Sequence, residues 1–185
     1  ADHGYRVTAS DLFEDNFTPR GHLPFRALDL NQAFAETLGT RFDAIVALEL
    51  VEHIENPHHF LRQCHALLRR GGVLLLSTPN LANPVSQAMF VRDGVFQWFR
   101  DDDYREQGHI MPLAPMVVRR CAVEAGLDCE WEGSVSDPMR MLDRRLDILL
   151  HQHRLLECLF VAHLRDRGAQ FVVAADDPYA PACRS

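Results

Sequence analysis

The sequence predicts an α/β domain built on a mostly parallel sheet, and three consecutive stretches carry that prediction. Phe42 to Leu48 (FDAIVAL) is a short apolar run rich in branched residues and bounded by polar ones, the pattern of a strand buried on both faces. Asn56-Pro57 supplies a capping residue followed by proline at the first helical position. Phe60, Leu61, Cys64, Leu67 and Leu68 then share one helical face. Val73 to Ser77 is a second buried run. Strand, helix and strand in this order make a βαβ unit, whose crossover is right-handed almost without exception.

The rest of the chain is consistent with that class. A length of 185 residues, 47% hydrophobic and 24% charged, fits one globular domain with a proper core and excludes collagen, long coils and disorder. All 19 basic residues are arginine, against 26 acidic ones, and a net charge of −7 argues against a generic nucleic-acid binder. The five cysteines form no C-x-x-C pair and read as reduced thiols, which points to the cytoplasm. The longest apolar stretches, such as Ala44 to Val51 and Leu155 to Ala162, are short and carry Glu49 or Glu157. Neither a signal peptide nor a membrane span is expected from them.

In chain order, Ala1 to Gly4 reads as the last turn of a helix, and Tyr5 to Ser10 as a strand. Phe25 to Leu28 is a second strand, and Asn31 to Leu38 a turn or short helix stopped by Gly39. The helix after Asn56-Pro57 should end at Arg69-Arg70-Gly71-Gly72, where basic residues suit a helix C-terminus. Residues 79 to 115 read as irregular and aromatic-rich, so 81–115 is expected to form a lid or substrate loop. Met116 to Ala125 is helical, Leu127 to Glu132 a strand, Leu142 to Leu164 a helix, and Ala169 to Ala174 a last strand. The expectation is one domain over 1–185 with a helical insertion at 134–165.

Open α/β sheets bind ligands at the carboxyl ends of their strands. Asp11, Asp29 and Glu49 follow the first three strands. An acid at Asp11 is placed to accept hydrogen bonds from ribose hydroxyls, although each acid alone also reads as a turn or cap residue. Glu49-Leu-Val-Glu52-His53 places two carboxylates and an imidazole at i, i+3 and i+4, which share a face on a helical turn. Two oxygens and one nitrogen suit Mg²⁺ or Mn²⁺. His58, His59, His65, His151 and His153 read as polar helix faces, and the arginine pairs as surface charge.

FDAIVALELVEHIENP, LRRGGVLLLSTPN and GHIMPLAP, in this order, resemble the class I S-adenosylmethionine-dependent methyltransferases over nearly the whole chain. The resemblance is closest to the branch that holds ubiquinone-pathway O-methyltransferases and the 2′-O-methyltransferases of small-RNA 3′ ends. It implies a Rossmann-like sheet with an antiparallel last strand, GAQFVVAA, and helices on both faces. It also implies an S-adenosylmethionine site in which Asp11 and Leu12 meet the ribose, Asp29 and Leu30 flank the adenine, and Leu48 lies against the cofactor. His109 would complete a metal set with Glu49, Glu52 and His53, and His53 is otherwise the expected catalytic base. The family's glycine-rich loop after its first strand has no counterpart here, so the domain is expected to be incomplete at its N-terminal side.

The leading functional expectation is methyl transfer from S-adenosylmethionine to an oxygen of a small-molecule or glycan-like acceptor, with Mg²⁺ as a candidate cofactor. A non-catalytic binding module of the same fold and an NAD-dependent oxidoreductase are the alternatives. RNA as acceptor is disfavoured by the acidic balance.

Overall fold

The computed structural model describes residues 5–16, 23–135 and 157–164. Two parallel strands, β1 (Ala9–Asp11) and β2 (Phe25–Ala27), form a small sheet. After α1 (Phe34–Leu38), β3 (Phe42–Ala47) leads through a 3-10 turn at Val51–His53 to α2 (Pro57–Leu67) and β4 (Leu68–Pro79). Two short helices follow, α3 (Pro84–Asp93) and α4 (Asp101–Gln107). Next come α5 (Pro115–Glu124), β5 (Leu127–Val135) and β6 (Glu157–Leu164). The second sheet has the order β3-β4-β6-β5. Its first pair is parallel, with Ala47 opposite Leu76, and β6 runs antiparallel to both of its neighbours.

The predicted βαβ unit is therefore present, and its helix begins where the cap residues say it should. Asn56 Oδ1 accepts the His59 N–H at 3.0 Å, with Pro57 in the first turn. Asn56→Ala should cost about 1 kcal/mol of stability, read as a lower urea midpoint at unchanged slope. Phe60, Leu61, Cys64 and Leu67 of α2 are buried together with Val118, Cys121 and Ala122 of α5. These pack with Leu74, Leu76 and Leu127 of the sheet in one cluster. Burial pushes the Cys64 thiol well above its ordinary pKa, so this cysteine is a small core residue and no nucleophile.

Four expectations need correction. The first strand is Ala9–Asp11 rather than Tyr5 to Ser10. Arg69 and Arg70 do not end α2; they stand in β4, which starts one residue beyond the helix. Residues 81–115 are not irregular throughout but carry two helices, because Asn83 caps α3 through the Ser86 N–H and Gly94 closes it with a φ of 75°. Asp103 Oδ2 likewise accepts the Arg100 N–H at the start of α4. The helical insertion expected at 134–165 is strand at both described ends, since β5 reaches Val135 and β6 spans Glu157–Leu164. An apolar run of that length has no period that separates strand from buried helix, and the slot between β4 and β5 decides it. The antiparallel strand is thus at 157–164, whereas the one expected at 169–174, the helix-end reading of residues 1–4 and residues 136–156 lie outside the described residues.

The strand ends are brought together by polar contacts between the turns that follow them. Asn31 Oδ1 accepts the Glu55 N–H at 2.9 Å, and His59 Nε2 donates to the Gln32 carbonyl at 3.0 Å. Gln63 Oε1 accepts the Ala35 N–H. The segment after β2 therefore lies against the segment after β3, with the carboxyl ends of both strands on one side. Among the described residues no strand pairs with the outer edge of β3, where Val46 and Leu48 are exposed.

Candidate active site at the strand ends

β3 ends at Ala47, and the chain reverses through Glu49, a non-glycine residue with a φ of 47°. The 3-10 turn starts only at Val51, so Glu49 does not share a helical face with Glu52 and His53 as the spacing predicts. Its carboxylate turns to Ser77 at the end of β4, whose hydroxyl donates to Glu49 Oε1 at 2.7 Å and accepts the Glu49 N–H at 3.0 Å. Glu49 keeps contact with solvent, yet the desolvation it does undergo raises its carboxyl pKa. The Ser77 hydrogen bond opposes the rise, the Glu52 charge adds to it, and His109 and His53 oppose it.

Glu52 is fully buried, and its Oε1 lies 3.9 Å from His53 Nε2. Its backbone carbonyl accepts the N–H groups of both Ile110 and Met111, at 3.0 and 2.9 Å. Those two hydrogen bonds fasten the segment after α4 onto the 3-10 turn and bring His109 to His53, with ring centroids 4.9 Å apart at 67°. One donor atom from each of Glu52, His53 and His109 lies within 4.8 Å of the other two. The structure therefore assembles three of the four predicted metal-site residues and leaves Glu49 beside them, held by Ser77.

Both histidines are oriented by backbone carbonyls. His53 Nδ1 lies 3.0 Å from the Gly108 carbonyl and His109 Nδ1 lies 2.8 Å from the Trp98 carbonyl. A carbonyl can only accept, so each Nδ1 carries a proton, which leaves Nε2 as the ring nitrogen able to offer a lone pair. A carbonyl or carboxylate on the far nitrogen is what fixes a metal-binding histidine. Gly108 can serve because it closes α4 at a φ of 75°, and Trp98 holds its carbonyl in place at a φ of 69°. Such positions are costly for a bulky residue and concentrate at functional sites. The sequence gives no sign of the two carbonyls or of Ser77, because backbone acceptors carry no residue signature and a serine closing a buried strand is common.

The predicted cofactor residues also stand at strand ends. Asp11 closes β1 and accepts the Phe13 N–H on Oδ1 at 3.0 Å. Asp29 follows β2 and accepts the Asn31 N–H at 2.9 Å. Both make the turn contacts that a structural role alone requires. Leu12 and Phe13 directly after Asp11 are more than half exposed, as is Leu48 after β3, and Leu30 packs against the core. Carboxylates beside exposed apolar side chains fit a nucleoside, whose ribose offers hydroxyls and whose base offers an apolar face. No helix among the described residues is long and apolar enough to cross a membrane.

Comparison with known proteins bears on the family and the fold. A ubiquinone biosynthesis O-methyltransferase of Cereibacter sphaeroides is 39% identical over 119 residues, 61% of this chain and 47% of that protein. The Dinoroseobacter shibae protein of the same name is 31% identical over 147 residues, 74% of this chain and 57% of that one. The chain thus spans roughly half the length of these curated relatives. Among solved structures, an S-adenosylmethionine-dependent methyltransferase from Mesorhizobium loti superposes with a TM-score of 0.57 at 14% identity, covering 87% of this chain and 82% of that one. One from Archaeoglobus fulgidus gives 0.56 at 14% identity, covering 87% and 77%. At such identities these two establish a shared fold. The sequence profile of the methyltransferase domain matches residues 1–130, and the chain belongs to that methyltransferase domain family.

Proposed function

We propose that the protein transfers a methyl group from S-adenosylmethionine to a hydroxyl oxygen of a small-molecule acceptor, assisted by a divalent cation held by Glu52, His53 and His109. The observation that carries the cation is the pair of imidazoles held through Nδ1 by backbone carbonyls, with His53 Nε2 turned toward the fully buried Glu52 carboxylate. One carboxylate and two imidazoles without thiolate suit a borderline divalent ion such as Mn²⁺, Fe²⁺ or Zn²⁺ better than Mg²⁺, which prefers oxygen ligands throughout. The O-methyltransferase relatives support an oxygen acceptor, and the family match favours methyl over hydride transfer.

S-adenosylmethionine would supply an electrophilic methyl group on a sulfonium, and a cation held by Glu52, His53 and His109 would lower the pKa of an acceptor hydroxyl. The chain's own residues hold the reactants in line, which is where most of the acceleration in a displacement of this kind arises. Asp11 would accept from the ribose hydroxyls with Leu12 beside it, Asp29 and Leu30 would flank the adenine, and Leu48 would lie against the cofactor. Without a cation, the lone pair on His53 Nε2 is the proton acceptor of the site. Residues 81–115 cover the acceptor, anchored by the Glu52 carbonyl.

Calorimetric titration of S-adenosylhomocysteine into the protein tests the reading. Binding is expected, and Asp11→Ala should weaken it about 10- to 100-fold, the range for one lost charge-assisted hydrogen bond. No binding by the wild-type protein would favour a non-catalytic module of the same fold.

A further inference from the structure

Ser77 is fully buried at the end of β4, and both hydrogen bonds recorded for its hydroxyl go to one residue. It accepts the Glu49 N–H and donates to Glu49 Oε1, closing a ring that joins the ends of the adjacent parallel strands β3 and β4. Glu49 needs such a partner, because its left-handed backbone is one that side-chain-bearing residues adopt rarely and keep only where the surroundings impose it.

We propose that Ser77 is the positioning residue of the site: its hydroxyl fixes the Glu49 carboxylate beside the Glu52, His53 and His109 cluster and thereby sets that cluster's affinity for a divalent cation. The second half rests on the cation reading above. A carboxylate with Oε1 committed to Ser77 does not rotate to offer both oxygens to an ion. Glu49 therefore adds a fixed negative charge with Oε2 left to face a cation or its water. Release of that carboxylate would let it fold away into solvent, to which Glu49 is already open. Partners that orient the groups around a metal typically carry 10- to 100-fold in affinity.

The test is a double-mutant cycle read by Mn²⁺ calorimetry, together with amide hydrogen exchange at Glu49. Ser77→Ala should lower Mn²⁺ affinity about 10-fold or more. It should also speed exchange of the Glu49 amide while the amides of α2 stay protected. In the Glu49→Gln background, Ser77→Ala should cause no further loss of Mn²⁺ affinity, because the charge it positions is gone. Equal losses in both backgrounds would overturn the proposal, since Ser77 would then act on the fold rather than through Glu49. Unchanged exchange at Glu49 would overturn it as well. A wild-type protein that binds no Mn²⁺ refutes the cation reading instead, and the exchange measurement still decides whether Ser77 places Glu49.

Discussion

His53→Ala and His109→Ala should each reduce Mn²⁺ affinity by at least about 100-fold, the upper end of what loss of a mere orienting partner costs. Each substitution removes one Nε2 donor, and neither ring contributes much to the core, both being only partly buried. The loss should therefore appear in calorimetry with little change in the urea midpoint. His58→Ala is the control. That ring pairs with Glu124 at 3.1 Å on an exposed face, where an ion pair contributes little, and Mn²⁺ binding should be unaffected. If His53→Ala and His58→Ala behave alike, the cluster is structural and the cation assignment fails.

Phe60→Ala is expected to be the most destabilising single substitution in α2, at about 3–5 kcal/mol. The ring is 2% exposed, and its centroid lies 5.8 Å from that of Phe34 in a tilted arrangement. Truncation leaves a cavity where α1, α2 and the sheet meet, and Phe34 cannot fill it from a five-residue helix. Against a typical domain stability of about 5–15 kcal/mol, a loss of that size leaves a sizeable unfolded population. The urea midpoint of the variant measures it, and a shift equivalent to less than about 1 kcal/mol would show that the α1–α2 contact collapses onto the gap.

The parts of the fold that were legible in the sequence are those set by local chemistry. The buried run at Phe42–Ala47 and the Asn-Pro start of α2 signal themselves within a few residues. The same Asn-Pro signal stands at Asn83-Pro84 and marks α3, where the density of aromatic side chains argued for a loop. β6 was hidden for a different reason: its strand character comes from neighbours far away in the chain. At the site, Glu52 and His53 are adjacent and their spacing announced them, whereas His109 arrives through backbone bonds to the Glu52 carbonyl and was signalled only by the family resemblance. Glu49 was misplaced because spacing arguments assume one continuous helical turn, and its positive φ interrupts that turn.

The placement of β6 between β4 and β5 has a consequence for how the molecule assembles. Among the described strands, β4 and β5 share no hydrogen bonds and are joined only through β6, with Val73 paired to His163 and Leu127 to Leu164. Two strands made earlier must therefore wait, edges open, for one made later. Pairings between residues so distant in the chain form late and slowly. During synthesis the β3-α2-β4 half can fold as soon as it leaves the ribosome. The α5-β5 hairpin, in contrast, keeps its inner edge unpaired until residue 164 has emerged, and that interval is when the nascent chain is most exposed to edge-to-edge association.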